Sequence, residues 1–205
     1  MEELQHCEIL KTNINVTNMS DTIKYIAGHL DDLRGKYICV SNVHTTVMSY
    51  ENEEYRKIQN GAAMALPDGA PLSSYSRRKG YKQAQRVTGP DLMLELFAIS
   101  KEKGYRHYFY GATEETLQSM KEVLERDYPG IQIAGMYAPP FRVLTPQEDA
   151  QIVAKINEAR PDFIWIGLGA PKQEEWMYQH MGQLQGVLIG VGAVSYTHLR
   201  AHETV

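Results

Sequence analysis

Residues 164–176 read IWIGLGAPKQEEW: an apolar run that ends in Gly-x-Gly and passes through Ala-Pro-Lys-Gln into an acidic, helix-like segment. Consecutive apolar positions are what a strand buried on both faces requires. Glycines let the backbone turn sharply and approach a ligand closely, and Pro171 suits a first helical turn. One strand handing over to one helix through such a turn is the repeating unit of an α/β fold.

The same pattern recurs outward along the chain. KYICVS (36–41), AMAL (63–66), RHYFYG (106–111), IQIAGM (131–136), DFIWIGLG (162–169) and GVLIGVG (186–192) read as strands. Between them lie helix signals. Ser20 stands as N-cap before 21–33. Thr88 or Gly89 precedes 90–104, with Pro90 in the first turn and Gly104 closing it. Thr113 caps 114–128, and Thr145 precedes 146–159, again with proline at the first position. Strands alternating with helices of this length predict a Rossmann-like, mostly parallel sheet with helices on both faces.

The composition narrows the class. The chain has 205 residues, 43% hydrophobic and 22% charged, with a formal net charge of −4. That is one sizeable core, and the acidic balance argues against nucleic acid as the main partner. Its two cysteines, Cys7 and Cys39, form no Cys-x-x-Cys pair, so neither a zinc ribbon nor a disulfide framework is expected. The acidic N-terminus has no long apolar stretch, and no run approaches the roughly 20 residues that span a bilayer. The expected location is cytoplasmic, with peripheral contact at the inner face of the cell membrane left open.

Ligands of open α/β sheets sit at the carboxyl ends of the strands, which selects four loops. In GLGAPKQ (167–173), Gly169, Lys172 and Gln173 lie where helix N-terminal amides attract anions. Lys172 opposes the helix dipole there unless an anion is present. The loop reads as a seat for a phosphate-bearing ligand, or as a plain turn with a solvated lysine. In PDGAP (67–71), Asp68 either shapes a turn or accepts a proton from a substrate hydroxyl. In SNVHTT (41–46), Asn42, His44 and Thr45 could hold a sugar or phosphate, or cap a helix. YGATEE (110–115) contributes Gly111. Arg77, Arg78, Lys79 and Lys82 form a basic cluster that is a solvated helix end or meets a diphosphate or an anionic lipid surface; Arg86, standing apart, is the preferred diphosphate ligand. Gly167 and Gly169 fit the first two glycines of a dinucleotide fingerprint, but Lys172 replaces the third. No Asp-x-Asp or other metal-ligand spacing occurs, so no metal and no cofactor are expected.

Taken in order, SNVHTTVM, ALPDGAPL, RVTGPDLM, YPGIQIAGMYAPPF and PDFIWIGLGAPKQEEW resemble the bacterial WecG/TagA/CpsF glycosyltransferase family, from about residue 8 to residue 194. The resemblance implies transfer of a sugar, commonly N-acetylmannosamine, from a UDP-sugar donor to an undecaprenyl-diphosphate-linked sugar acceptor. The products feed teichoic acid, common antigen or capsule synthesis. It implies an inverting, metal-independent reaction with Asp68 as base and with Arg86 and Gln173 engaging donor or diphosphate. Ser41 or Thr45 would stand for a family threonine. A homo-oligomer is compatible with the family. A non-catalytic nucleotide-sugar-binding module is the alternative, and an NAD-dependent oxidoreductase a third.

The resemblance places the glycosyltransferase domain at 1–194. After Gly-Val-Gly-Ala-Val the family usually continues into an appendage rich in arginine and aromatics, which contacts the membrane. Here the residues are SYTHLRAHETV (195–205), expected to form an unstructured, non-native tail in which Arg200 replaces none of those arginines.

Overall fold

The computed structural model describes residues 4–201. A hairpin of β1 (His6–Ile9) and β2 (Thr12–Asn15) leads into α1 (Met19–Gly28) and α2 (Leu30–Leu33). Then follow β3 (Tyr37–Ser41), α3 (Val43–Glu51), α4 (Glu53–Gly61), β4 (Met64–Pro67), α5 (Ala70–Arg78), α6 (Gly89–Lys103), β5 (Arg106–Gly111) and α7 (Glu114–Asp127). The chain continues through β6 (Gln132–Tyr137), α8 (Pro146–Glu158), β7 (Phe163–Gly167), α9 (Lys172–His180), β8 (Val187–Gly190) and α10 (Ala193–Ala201). Strands β3 to β8 form one sheet in the order β4-β3-β8-β7-β5-β6, and every pairing in it is parallel. All six carboxyl ends therefore meet one rim.

Alternation along β7 explains why the run IWIG is apolar at every position. Phe163 and Trp165 pack in a core with Ile26 of α1, Leu92 and Phe97 of α6, and Leu117 of α7. Ile164 and Ile166 pack on the opposite face with Ile58 of α4, Ile152 and Ile156 of α8, and Met177 of α9. Side chains of a strand point alternately to its two faces, so helices on both faces demand apolar residues at odd and even positions alike.

The caps at Thr88, Thr113 and Thr145 each accept the backbone N–H three residues on, and Gly104 ends α6 in the left-handed conformation. Two local expectations are corrected. Asn18, not Ser20, caps the first helix: its side chain accepts Asp21 N–H at 3.0 Å, so the helix starts at Met19. The expected single helix over 21–33 divides at His29 into α1 and α2. The hairpin is joined by Leu10 and Lys11, both at positive φ (47° and 64°).

Residues 195–201 do not form an unstructured tail. They belong to α10, where Tyr196 is buried against the first core and donates to Trp165 O at 2.7 Å, and Ser195 donates to Val191 O. A tyrosine that finds both an apolar wall and a buried acceptor suffices to seat a helix that lacks an apolar period. Residues 202–205, the remainder of that expected tail, lie outside the described residues.

Candidate functional site

Asp68 sits where β4 ends, directly beside the end of β3. Its N–H donates to Ser41 O at 2.8 Å, and Gly69 packs against the backbone of Asn42 and Val43. Arg86 is brought to it by the segment that leads into α6, which docks on β4 through Val87 N–H to Pro67 O at 2.9 Å. Its Nε donates to Asp68 O, and its Nη2 lies 3.3 Å from Asp68 Oδ1. Asp68 is half-buried. Burial pushes its carboxyl above the ordinary carboxylate range, Arg86 pulls it partly back, and Asp91 adds a small upward push. Asp91 is held by the cap residue Thr88, whose hydroxyl donates to it at 2.6 Å.

The loop after β3 is organised by a capping box. Asn42 Oδ1 accepts Thr45 N–H, and Thr45 Oγ1 accepts Asn42 N–H. Asn42 and Thr45 are thus engaged in starting α3, and Thr45 is buried. His44, one step along the same turn, is exposed at the rim. Gly111 ends β5 at φ +128°, with any Cβ there 2.5 Å from Gly167 O. Close packing of two strand ends accounts for this glycine.

Lys172 is exposed at the first residue of α9, preceded by Gly169 at φ +80°. Gln173 is buried instead of facing the cleft. Its Oε1 accepts Gly192 N–H at 3.0 Å, and its Nε2 donates to Glu174 Oε1 at 2.6 Å. It is a crosspiece between the start of α9 and the turn after β8. Of the basic cluster, Arg77 and Arg78 close the last turn of α5. At that end Arg77 donates to Ala84 O and Ser74 Oγ.

Beneath the rim lies a polar network that reading the loops alone does not reveal. Ser41 Oγ donates to Gln59 Oε1 at 2.7 Å, and Gln59 Nε2 donates to the Tyr55 hydroxyl at 3.0 Å. Tyr55 lies beside the fully buried carboxyl of Glu174, whose Oε2 has no hydrogen-bond partner. Burial raises the Glu174 carboxyl above its ordinary range, while the Gln173 amide opposes that shift. The signal for this residue was the helical period of α9. Residues 173, 174, 177 and 180 are its buried stripe, so Glu174 occupies a core-facing position. Among the described residues no group of three or more His, Cys, Asp or Glu side chains is placed to hold a metal ion.

The arrangement offers a half-buried carboxylate, a guanidinium fixed to it, and an exposed cation at a helix start on one rim. That set can take a proton from a hydroxyl and balance charge on a phosphate-bearing group. Known proteins resemble the chain along most of its length. The family model described as Glycosyl transferase WecG/TagA/CpsF family matches residues 7–197. An N-acetylglucosaminyldiphosphoundecaprenol N-acetyl-beta-D-mannosaminyltransferase of Bacillus spizizenii is 30% identical over 166 residues, 80% of this chain and 62% of that protein. A protein of the same name from Staphylococcus aureus is 27% identical over 188 residues, 90% of this chain and 72% of that protein. The chain thus spans under two thirds of the length of the first of these relatives.

Proposed function

Because the chain belongs to the WecG/TagA/CpsF glycosyltransferase family, we propose that it transfers a sugar, N-acetylmannosamine, from a UDP donor to a sugar linked to undecaprenyl diphosphate. The observation that carries this reading is the Asp68–Arg86 pair at the carboxyl end of β4. The acceptor hydroxyl attacks the anomeric carbon and gives its proton to Asp68. The bond from that carbon to the diphosphate oxygen breaks, and UDP leaves with the electron pair. Attack opposite the leaving group inverts the anomeric centre.

Arg86 and Lys172, with the N-terminal amides of α9, balance the charge that develops on the diphosphate. Protein groups carry this task without a metal. Gln173, buried as it is, acts through the Gly192 turn. A carboxyl raised by burial is a stronger base than an exposed one, which suits Asp68 to its role. His44 stands at the same rim for sugar contacts. Membrane contact, where the acceptor's lipid lies, and self-association belong to the same proposal.

The test is calorimetric titration with UDP without added metal, followed by transfer from UDP-N-acetylmannosamine to a lipid-linked N-acetylglucosamine diphosphate. UDP binding with transfer that collapses in Asp68→Asn is the expected result. No UDP binding sinks the reading. Wild-type transfer by Asp68→Asn removes Asp68 as base, and donor binding without transfer points to the non-catalytic module.

A further inference from the structure

The loop between β6 and α8, APPFRVLT (138–145), presents two large apolar side chains almost wholly to solvent. Phe141 is 93% exposed and Val143 92%. Such exposure has no rationale in folding, because a buried Phe stabilises and an exposed one does not. The loop is nevertheless built, not slack. Pro139 and Pro140 restrict its first half. Arg142, between the two apolar residues, turns back onto the first turn of α8 and clasps Glu148 with both terminal nitrogens, at 2.8 Å and 2.6 Å. Glu148 is also the capping-box partner of Thr145. The residue between them is tied down, and Phe141 and Val143 are left pointing outward.

The loop's place in the fold says what it meets. It follows β6, so it stands on the rim that carries Asp68, Arg86 and Lys172. The next most exposed large apolar residue, Val194 at 78%, begins α10 on that same rim. From β4 to β6 is five strand steps, roughly 24 Å. That is too far for the loop to touch an acceptor sugar at Asp68, but right for a second point of contact on a plane laid across the rim. Among the described residues no helix is long and apolar enough to cross a membrane.

We infer that Phe141 and Val143 insert into the interfacial layer of a phospholipid bilayer and hold the strand-end rim against it. The inference rests on the reading that the acceptor is lipid-linked, as the names of the relatives state for them. The Arg142–Glu148 pair leaves the loop electrically neutral, and the whole chain carries −4. Attraction to anionic headgroups is therefore not the driving term; insertion of apolar area is.

The test is co-sedimentation of the full chain with vesicles of phosphatidylglycerol and phosphatidylethanolamine, at low salt and at about 0.5 M salt, where exposed charges are screened. Binding is expected at both salts and is expected to weaken by about tenfold or more in Phe141→Ser/Val143→Ser. Phe141→Trp should retain it and gain a fluorescence component quenched by brominated lipid. UDP titration of the same variants, expected unchanged, separates loss of lipid contact from loss of the donor site or of the fold. Wild-type binding by the double serine variant, or binding abolished by salt alone, overturns the inference. So does a Phe141→Ser change in self-association without any vesicle binding, which would assign the loop to a second copy of the chain.

Discussion

The side-chain amide of Gln173 donates to Oε1 of Glu174 at 2.6 Å, while its other end holds Gly192 N–H at 3.0 Å. The carboxyl is fully buried and its second oxygen is unpaired. Burial raises its folded-state pKa above the ordinary value of 4.5. The folded state then holds the proton more tightly than the unfolded chain, so stability declines as pH rises from about that value through the raised one. Glu174→Gln keeps an acceptor for Gln173 and removes the charge. Thermal melts from pH 4 to pH 8 should show the variant gaining on wild type as pH rises, by about 1.4 kcal/mol for each unit by which the carboxyl is raised. A difference flat in pH would mean the carboxyl is not held out of water.

Asp68 has two charged neighbours that act on it in opposite directions, which yields a paired prediction. A base works only when deprotonated, so kcat/KM should fall as pH falls through a value above the ordinary 3.8. Arg86→Ala removes the group that lowers this carboxyl and should move the acidic limb to higher pH. Asp91→Asn removes one that raises it and should move the limb slightly lower. Asp68→Asn should cost about 10²–10⁴ in kcat. Limbs that coincide in wild type, Arg86→Ala and Asp91→Asn would assign the titration to another group.

What could be read ahead of the structure depended on how local each cause is. All six strands of the sheet fall on the expected runs, with β4 and β6 each ending one residue beyond them at Pro67 and Tyr137, because burial on both faces writes itself into every position of a strand such as FIWIG. Thr88, Thr113 and Thr145 were legible as caps because capping is a matter of three residues. The hairpin was not read: its turn uses Leu10 and Lys11 at positive φ, where the usual signal is Asn-Gly. Asp68 and Arg86 were legible singly, and the structure brings them together. Gln173 was expected to face a ligand. Nothing in PKQE announces that its amide is consumed by Glu174 and by a turn nineteen residues away. Long-range pairing of that kind emerges only when β7 and β8 are neighbours.

Gly111 is a packing residue, and the consequence is direct. At φ +128° any side chain is strained, and a Cβ would stand 2.5 Å from Gly167 O, a backbone atom that cannot swing aside. Gly111→Ala should destabilise by about 2–5 kcal/mol, the sum of backbone strain and overpacking. Urea melts measure it. A near-neutral substitution would show that the ends of β5 and β7 part easily.

His107 sits in the core between two partners that assign its tautomer. Trp165 Nε1–H donates to its Nδ1 at 3.0 Å, so Nδ1 carries no proton. Nε2 therefore holds the hydrogen and donates to Ser100 Oγ at 2.7 Å, and Ser100 in turn donates to Leu96 O. Adding a second proton would leave Trp165 facing a donor in a buried site. Burial accordingly lowers the folded-state pKa to about 3, from 6.5. Between those values the unfolded chain binds the proton and the folded chain does not, so stability is lost as pH falls through that window. The loss should be about 2 kcal/mol between pH 6.5 and pH 4.5. His107→Gln, which offers one acceptor and one donor but no titration, should be less stable at pH 7 and show a flatter profile below 6.5. Nitrogen NMR of the wild-type ring, expected to keep a neutral Nε2–H signature down to pH 4.5, checks the tautomer directly; a ring that gains its second proton near pH 6 would mean the Trp165 contact does not hold.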